Sequence, residues 1–264
     1  MATVREPAVA GLFYPADAEQ LQHELADLLA LANEQADFAH PPKAIIAPHA
    51  GYIYSGPVAA SAYSRLAPVA DRITRVILLG PAHRVPVSGL ALSSAAAFST
   101  PLGTVKVDRQ AQQSIGDLPW VRVMDAAHNQ EHSLEVHLPF LQMVLKDFSV
   151  VPIVVGEAIP EQVAEVLDRL WGGDETLIVI SSDLSHYQDY MTARQMDART
   201  SRAIELMEYE QLHFDDACGR GPVSGLLLLA RQKHMTIETV DLRNSGDTAG
   251  SRDRVVGYGA YICH

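Results

Sequence analysis

Short apolar runs alternate along the chain with longer segments whose apolar residues recur every three or four positions. The short runs predict buried strands at residues 44–47, 76–79, 150–155, 177–180 and 255–262. The longer segments predict helices at residues 57–66, 131–146, 161–170, 193–209 and 223–232. This alternation is typical of an α/β fold, a three-layer αβα sandwich whose mixed, mostly parallel sheet carries helices on both faces.

A further helix is predicted to begin after Asp17 and to continue through about Ala32. Asp17 and Gln20 have the spacing of a capping box, in which the carboxylate accepts a bond from the amide three residues later and Gln20 reaches back. The chain has 264 residues and contains no internal repeat or convincing linker. We therefore expect residues 1–264 to form a single domain.

Polar side chains follow three of the predicted strands. His49 follows the run at 44–47, His83 follows the run at 76–79, and Asp183 and His186 follow the run at 177–180. The carboxyl ends of parallel strands meet at one edge of the sheet, so these side chains are expected to converge. A single histidine at a strand end is more often structural, but three such ends in one chain favour a shared site.

The predicted site has the composition of a mononuclear metal centre. Two imidazoles and one carboxylate form the facial triad that binds Fe(II), and zinc or copper also accepts nitrogen ligands. The third ligand is expected from the Gly-rich loop at residues 244–250, where Asp247 is the candidate and Asn244 is a neighbouring polar contact. The alternative is that Asp247 only caps its own turn.

The segment at residues 131–139 mixes ionisable and apolar residues at the start of a predicted helix. His132 and Glu135 are three positions apart and would share a helix face. With His137, they are candidates to orient a ligand imidazole through hydrogen bonds or to contact a substrate. Alternatively, the acidic residues only suit the positive helix N-terminus and the histidines bond locally.

Two tyrosines, Tyr52 and Tyr54, follow His49 closely. One interpretation is that their hydroxyls reach the crevice and orient a bound ligand. The other is that both rings pack in the core or at its rim.

Composition narrows the classes of function. Hydrophobic residues make up 48% of the chain and charged residues 20%, as in ordinary globular proteins. The formal net charge of −12, with no cluster of Lys and Arg, argues against general nucleic-acid binding. The first residues do not have the pattern of a secretory signal, and the apolar run at 226–230 is too short to cross a bilayer, so we expect a cytoplasmic protein with no membrane role. Cys218 and Cys263 have no metal-binding spacing and are expected to be reduced thiols.

Several motifs together carry a resemblance to a known family. They are Arg5-Glu-Pro7, Ala10-Gly-Leu-Phe-Tyr-Pro15, Ala47-Pro-His-Ala-Gly-Tyr-Ile-Tyr-Ser-Gly56, Leu79-Gly-Pro-Ala-His83, Glu131-His-Ser-Leu-Glu-Val-His-Leu-Pro139 and Ser181-Ser-Asp-Leu-Ser-His186. On these motifs the chain resembles the Memo-like family, which is called AmmeMemoRadiSam system protein B in prokaryotes. The motifs extend over nearly the whole chain, and their combination is highly specific.

The resemblance implies a fold similar to the class III extradiol dioxygenases, whose mononuclear iron is bound by two histidines and an acidic residue. By motif, His49 and His83 correspond to the two imidazole ligands, and His186, with Asp183 beside it, corresponds to the acid/base histidine. Animal members of the family are expected to carry a cysteine in the loop before the last strand, where this chain aligns Thr248 next to Asp247. A carboxylate at this place would favour Fe(II) over softer metals.

Three hypotheses of function follow from the site and the resemblance. The first is an Fe(II)-dependent, dioxygenase-like oxidoreductase that acts on a small substrate, for example an aromatic or dihydroxylated one. The second is a metal-containing binding or adaptor protein that recognises a phosphopeptide or a partner protein without turnover. The third, suggested by the family name alone, is a role beside radical SAM and AMMECR-type proteins.

Overall fold

The computed structural model describes residues 3–34 and 36–264, and within these ranges the chain forms twelve strands and eight α-helices. The strands are β1 (Val4–Arg5), β2 (Ala44–Ala47), β3 (Arg75–Pro81), β4 (Leu90–Leu92), β5 (Ala97–Thr100), β6 (Gly103–Val107), β7 (Val121–Val123), β8 (Ser149–Val155), β9 (Thr176–Ser181), β10 (His186–Gln188), β11 (Ile237–Asn244) and β12 (Val255–Cys263). The helices are α1 (Ala18–Asn33), α2 (Tyr52–Tyr63), α3 (Arg109–Gln113), α4 (Asp125–Asn129), α5 (His137–Val144), α6 (Pro160–Arg169), α7 (Tyr190–Glu205) and α8 (Arg220–Gln232).

The strands form one mixed sheet in the order β1-β5-β6-β8-β3-β9-β2-β12-β10. Its centre is parallel, because β3 pairs in parallel with β8 and β9, and β9 pairs in parallel with β2. The long strand β12 runs antiparallel to β2 and pairs on its other side with β11. In the remaining part of the sheet, β4 pairs with β7 and β8.

Helices cover both faces of the sheet, which makes three layers. Successive residues of a strand point to opposite faces, and β2 shows this directly: Ile45 and Ala47 belong to one hydrophobic core, and Ala44 and Ile46 to the other. The first core also contains side chains of α1, α2 and α5, and the second contains side chains of α6, α7 and α8. The predicted αβα sandwich with a mostly parallel, mixed sheet is therefore confirmed.

The predicted strands and most helices agree with the structure within a few residues. The Asp17 carboxylate caps α1 by accepting a hydrogen bond from the Gln20 amide at 2.9 Å, as the capping pattern predicts. The helix predicted at 57–66 begins earlier, at Tyr52, and ends at Tyr63 before a 3₁₀ segment at Ser64–Val69. Pro57 is accommodated inside the helix and does not begin it.

The helix predicted at 131–146 is wrong in its first part, because α5 begins only at His137. The Glu131 carboxylate accepts hydrogen bonds from the amides of His132 and Ser133, each at 3.0 Å. The segment 131–136 therefore wraps around its own acidic side chain in a series of turns.

Within the described ranges, no helix has both the length and the hydropathy needed to cross a bilayer.

Candidate metal site

The ends of three neighbouring parallel strands place the candidate residues at one edge of the sheet. β3, β9 and β2 are adjacent, and His83, Asp183 and His49 follow them within two residues. The registers pair Leu79 with Ile180 and Ala47 with Ser181, so the strands end at similar height. The expected convergence at the carboxyl edge is confirmed for these three segments.

Three histidines form the centre of the site. Ligand atoms of His49, His83 and His132 all lie within 4.8 Å of one another. The rings of His83 and His132 stack with centroids 4.9 Å apart, and the His49 ring meets both edge-on, at 5.1 Å and 5.6 Å. Two of these residues follow strands, and the third comes from the turns before α5.

Hydrogen bonds define which nitrogen of His49 is free. The Ser181 hydroxyl donates to the Ser133 carbonyl at 2.6 Å, so its oxygen accepts from Nδ1–H of His49 at 2.5 Å. The lone pair of His49 is therefore on Nε2, at the centre of the site. Burial lowers the pKa of His49 well below its usual value, and the neighbouring imidazoles of His83 and His132 lower it further, which keeps the ring neutral.

Glu131 orients His83. Its carboxylate accepts hydrogen bonds from the His83 backbone amide at 2.6 Å and from His83 Nδ1 at 3.0 Å, which leaves Nε2 of His83 free to bind. Burial raises the pKa of Glu131, but the hydrogen bonds from His83 and Ser133 outweigh this effect and hold the pKa at about 2. A permanently ionised carboxylate behind a ligand imidazole is the usual partner of a metal-binding histidine.

His132 supplies the third nitrogen donor. Burial lowers its pKa to about 4, so the ring is neutral at pH 7. Its Nδ1 is buried and has no hydrogen-bond partner among the described residues, although Glu131 Oε1 lies 3.5 Å away outside hydrogen-bonding geometry. Phe13 packs against the ring at a centroid distance of 4.8 Å. An orphaned, buried imidazole nitrogen beside two oriented imidazoles is an arrangement that a metal ion fits.

Gly80 allows the His132 segment to approach β3. A Cβ at Gly80 would lie 2.9 Å from both the Leu134 side chain and the Ser133 hydroxyl. Because glycine has no Cβ, the turns that carry His132 can pack directly over the strand that leads to His83.

A thiol and a carboxyl lie next to His49. Cys218 Sγ is 3.3 Å from His49 Nε2, and Asp183 Oδ2 is 3.9 Å from the same nitrogen. The other Asp183 oxygen accepts from the His49 amide at 2.7 Å. Burial raises the pKa of Asp183 to about 7, opposed by this hydrogen bond, and burial together with the neighbouring Asp183 raises the pKa of the Cys218 thiol. Cys218 is therefore protonated at neutral pH.

His186 lies at the start of β10, beside the imidazole cluster. Burial lowers its pKa, and the charge of His83 lowers it further, so the neutral imidazole can accept a proton at physiological pH. The residue after it, Tyr187, adopts a positive φ of 59° and leaves its ring 64% exposed. This conformation is rare for residues other than glycine and often accompanies a functional site.

The structure does not bring Asp247 to the imidazoles. One carboxylate oxygen accepts from the Asn244 amide at 3.1 Å and the other from the Tyr190 hydroxyl at 2.5 Å. Asn244 in turn accepts from the Gly246 amide at 2.9 Å, so both side chains cap the short 3₁₀ turn at Ser245–Asp247. The alternative that Asp247 only caps its own turn therefore fits, and it fits Asn244 as well. The backbone amides of the loop lie within hydrogen-bonding distance of both side chains and satisfy them locally. His132, and not Asp247, is the third side chain whose ligand atom lies within 4.8 Å of those of His49 and His83.

Three other candidate residues make contacts that stabilise the fold and do not face the imidazoles. Glu135 pairs with Arg5 and accepts from the Tyr14 hydroxyl at 2.6 Å, which turns it away from the imidazoles. His137 is buried, and its Nδ1 bonds to the Tyr63 hydroxyl at 2.9 Å. The buried hydroxyl of Tyr52 donates to the Val136 carbonyl at 2.6 Å and does not line the crevice. The core interpretation therefore fits Tyr52.

Tyr54 is 40% exposed, and a Cβ built at Gly51, which follows His49 by two residues, would lie 4.0 Å from the Tyr54 ring. This places Tyr54 at the rim of the site, as one of its two interpretations expected. The side chains of Leu12 and Ile53, which neighbour Phe13 and Tyr54 in the sequence, are also exposed.

Sequence reasoning missed the roles of Glu131, Ser181 and Cys218. Glu131 stands next to His132, and an acidic residue beside a candidate ligand is a signal that could have been used. Cys218 gave no spacing signal, because it reaches the site only through the turn before α8. A Cβ at Gly219 would lie 2.4 Å from the Ser181 carbonyl oxygen, so this turn needs glycine to pack against β9.

The fold and the site define the class first: an α/β sandwich with a cluster of histidines that could hold a metal ion at the carboxyl edge of its parallel strands. Comparison with known proteins then identifies the family. A family model described as "Memo-like protein" matches residues 5–262. A MEMO1 family protein of Aquifex aeolicus is 39% identical, with 97% of each chain covered. Another, from Metallosphaera sedula, is 35% identical over 96% of this chain and 97% of that one. The chain therefore belongs to the Memo-like family, as its motifs indicated.

Proposed function

We propose that the chain binds a single Fe(II) ion through His49, His83 and His132 and acts as a metal-dependent oxidoreductase on a small substrate. The observation that carries the proposal is the group of three imidazoles whose ligand atoms lie within 4.8 Å of one another. Hydrogen bonds to Nδ1 fix two of them with the Nε2 lone pair available, where only the weak Cys218 thiol donor contacts His49, and the third has a buried nitrogen without a partner among the described residues. Such preorganisation favours binding of a transition metal over alkaline-earth ions, which prefer oxygen ligands.

The choice of Fe(II) rests on the donor set. Imidazole nitrogen suits iron, zinc and copper, whereas a thiolate shifts the preference toward softer ions. Cys218 lies beside His49 but is kept as a neutral thiol by burial, so nitrogen donors dominate the site at neutral pH. When bound, the iron would supply Lewis-acid and redox chemistry to a substrate in the crevice.

The proton transfers are assigned to residues of this chain. His186, as a neutral imidazole, would accept a proton from a substrate hydroxyl, and Asp183, with its pKa near 7, would hold or return a proton at Oδ2. Both residues follow β9, and the adjacent strands β2 and β3 lead to two of the three proposed metal ligands, His49 and His83.

Anaerobic reconstitution with Fe(II) tests the proposal. We expect His49→Ala, His83→Ala and His132→Ala each to lose most of the bound iron, because too few donors remain to compete with water. Asp247→Ala is the matched control and should keep the iron, since its carboxylate caps its own loop. If the folded imidazole variants retain wild-type iron, or if Asp247→Ala alone loses it, the assignment of the centre is wrong.

Oxygen uptake tests the activity. The reconstituted chain is assayed with catecholic and non-catecholic substrates, and His186→Ala is expected to keep its iron while turnover falls by roughly 10²–10⁴-fold. Loss of iron in that variant would make His186 a ligand. Iron binding without uptake for any substrate would contradict the oxidoreductase assignment.

A non-catalytic binding role is the second candidate, and exposed apolar side chains next in sequence to residues of the site favour it. Leu12, Ile53 and Tyr187 are 81%, 66% and 64% exposed, and they neighbour Phe13, Tyr52 and His186 along the chain. Exposed apolar side chains that form one patch mark a surface for a peptide or protein partner. Pull-down with the radical SAM and AMMECR-type proteins, with and without iron, would test this role. Retention that is unaffected by Leu12→Ser and Ile53→Ser would argue against these side chains as the contact surface.

A further inference from the structure

A second group of metal-ligating side chains lies at the opposite edge of the sheet. Ligand atoms of His40, Glu238 and His264 all lie within 4.8 Å of one another. Nε2 of His264 is 3.0 Å from Glu238 Oε1, and the His40 and His264 rings stack at a centroid distance of 4.5 Å with an interplanar angle of 8°. Three residues from three separate parts of the chain thus share one small region of the surface.

The sheet fixes the backbone of two of these residues. In the antiparallel pair of β11 and β12, Glu238 is opposite Ile262, so Glu238 and His264 are diagonal neighbours on the same face. His264 continues the ladder through two backbone bonds with Thr236, at 2.8 Å and 3.0 Å. The carboxylate and the imidazole therefore meet because of strand register.

His40 comes from the connection between α1 and β2, on the other side of β12. The Lys43 amide bonds to the Cys263 carbonyl at 2.8 Å, which ties the end of this connection to the last residues of β12. The Lys43 ammonium is directed elsewhere, to the carbonyls of Gly173 and Thr176, each at 2.7 Å. It therefore does not occupy the place beside Glu238 where a cation would bind.

We propose that His40, Glu238 and His264 form a second metal site, for a divalent transition-metal ion of the zinc class. Two imidazoles and one carboxylate are zinc donors at about 2.0–2.2 Å, and they would leave one position of a tetrahedral shell for water. The ligand atoms need to approach one another by about an ångström, which rotation of partly exposed side chains allows. Ca²⁺ and Mg²⁺ do not fit, because they need several oxygen ligands.

Zinc binding changes the tautomer of His264 and releases no proton from its ring. The 3.0 Å bond between His264 and Glu238 places one proton between Nε2 and the carboxylate oxygen. The zinc ion takes this place, and the imidazole carries its proton on Nδ1 instead. The negative charge of Glu238 and the formal net charge of −12 of the whole chain favour the cation electrostatically.

The second site is independent of the three-imidazole centre. His40 precedes β2 and His49 follows it, so the two groups lie at opposite edges of the sheet. A bound ion would fasten the connection before β2 to the paired strands β11 and β12. Since the ligands are far apart in sequence, this cross-link stabilises the native chain, and the stabilisation grows with the logarithm of the zinc concentration above Kd.

The test uses Zn²⁺ alone, with the full chain expressed without a histidine tag and freed of metal by a chelator. In the His49→Ala/His83→Ala background, calorimetric titration should show about one equivalent of zinc. This equivalent should disappear on further substitution of His40→Ala or His264→Ala, and should weaken with Glu238→Gln. His23→Ala is the matched control, because His23 is exposed and, among the described residues, pairs with a single carboxylate, Asp27 at 3.5 Å. No zinc binding in the starting background, or binding that survives His264→Ala, overturns the proposal.

A second measurement covers the case in which the double background does not fold. The wild-type chain is treated with diethyl pyrocarbonate with and without Zn²⁺, and modified histidines are mapped by peptide mass spectrometry. Zinc should reduce modification of His40 and His264 severalfold and leave His23 unchanged. Equal modification of all three histidines with and without zinc contradicts the site, whatever happens at His49 and His83.

Discussion

Replacement of Glu131 by Gln is the sharpest test of how the imidazole centre is held. The carboxylate accepts four hydrogen bonds: from the His83 amide at 2.6 Å, from His83 Nδ1 at 3.0 Å, and from the His132 and Ser133 amides at 3.0 Å each. A glutamine oxygen placed at Oε1 can retain three of these bonds. Its NH₂ group then faces the His83 amide, so that one buried donor meets another.

The change in these hydrogen bonds is expected to lower two quantities, the folding stability and the affinity for metal. A buried donor without an acceptor costs about 1–3 kcal/mol of folding stability. Loss of the carboxylate behind a ligand imidazole weakens metal binding by about 10–100-fold, which corresponds to about 1.4–2.7 kcal/mol. We therefore expect Glu131→Gln to fold with reduced stability and to bind Fe(II) 10–100-fold less tightly than the wild type, as measured by competition with a chelator of known affinity.

Glu135→Gln is the matched control, since Glu135 is an equally buried carboxylate in the same segment. It pairs with Arg5 and accepts bonds from the amides of Ala8 and Val9, at 2.7 Å and 3.0 Å. Weakening a buried ion pair costs up to about 3–5 kcal/mol of stability, but no bond to His83 or His132 is lost. The folded variant should bind iron as the wild type does. Wild-type affinity in Glu131→Gln, or an equal loss in folded Glu135→Gln, would refute the role given to Glu131.

Three further predictions follow from the structure. Cys218→Ser should leave Fe(II) affinity within about tenfold but lower Cu(I) affinity more strongly, because only the soft ion prefers sulfur; chelator competition with both ions checks this, and equal losses would contradict it. Asp197→Asn should stabilise the metal-free chain by up to about 3 kcal/mol at pH 7 and have little effect near pH 4, since burial raises the pKa of Asp197 from 3.8 to about 6 and the ionised form lowers the stability of the wild type as pH rises through this window; urea unfolding at both pH values checks the sign. Gly80→Ala should cost about 1–3 kcal/mol and reduce metal affinity, because its Cβ meets Leu134 and Ser133 at 2.9 Å; a fully stable variant with wild-type iron would show that the segment can shift without cost.

Strand ends were predictable from the sequence because position along a parallel strand translates directly into position in space. The apolar runs before His49 and His83 identify β2 and β3, and the parallel sheet brings their carboxyl ends to one edge. The same reasoning placed Asp183 and His186 beside them. No knowledge of loop conformation was needed for these four residues.

The contacts of loop side chains were not predictable in the same way, because they depend on residues that come close only in the folded chain. Asp247 has the polar neighbours of a metal ligand in sequence, but its carboxylate accepts hydrogen bonds from the Asn244 amide and the Tyr190 hydroxyl instead of facing the imidazoles. Cys218 has no such neighbours, yet the turn before α8 carries it to 3.3 Å from His49. Neither the capping role of Asp247 nor the approach of Cys218 to His49 can be predicted from the residues next to them in the sequence.

Glu131 and Glu135 show most clearly where local sequence stops being informative. Both are buried acids in one short motif, and helical spacing would have given them the same face. The turns instead direct Glu131 to His83 and Glu135 to Arg5, 130 residues earlier in the chain. The Arg5 guanidinium also donates to the carbonyls of His128 and Glu131, at 3.0 Å and 2.6 Å. The N-terminal strand therefore fixes the backbone of Glu131 through Arg5, while the Glu131 side chain fixes His83.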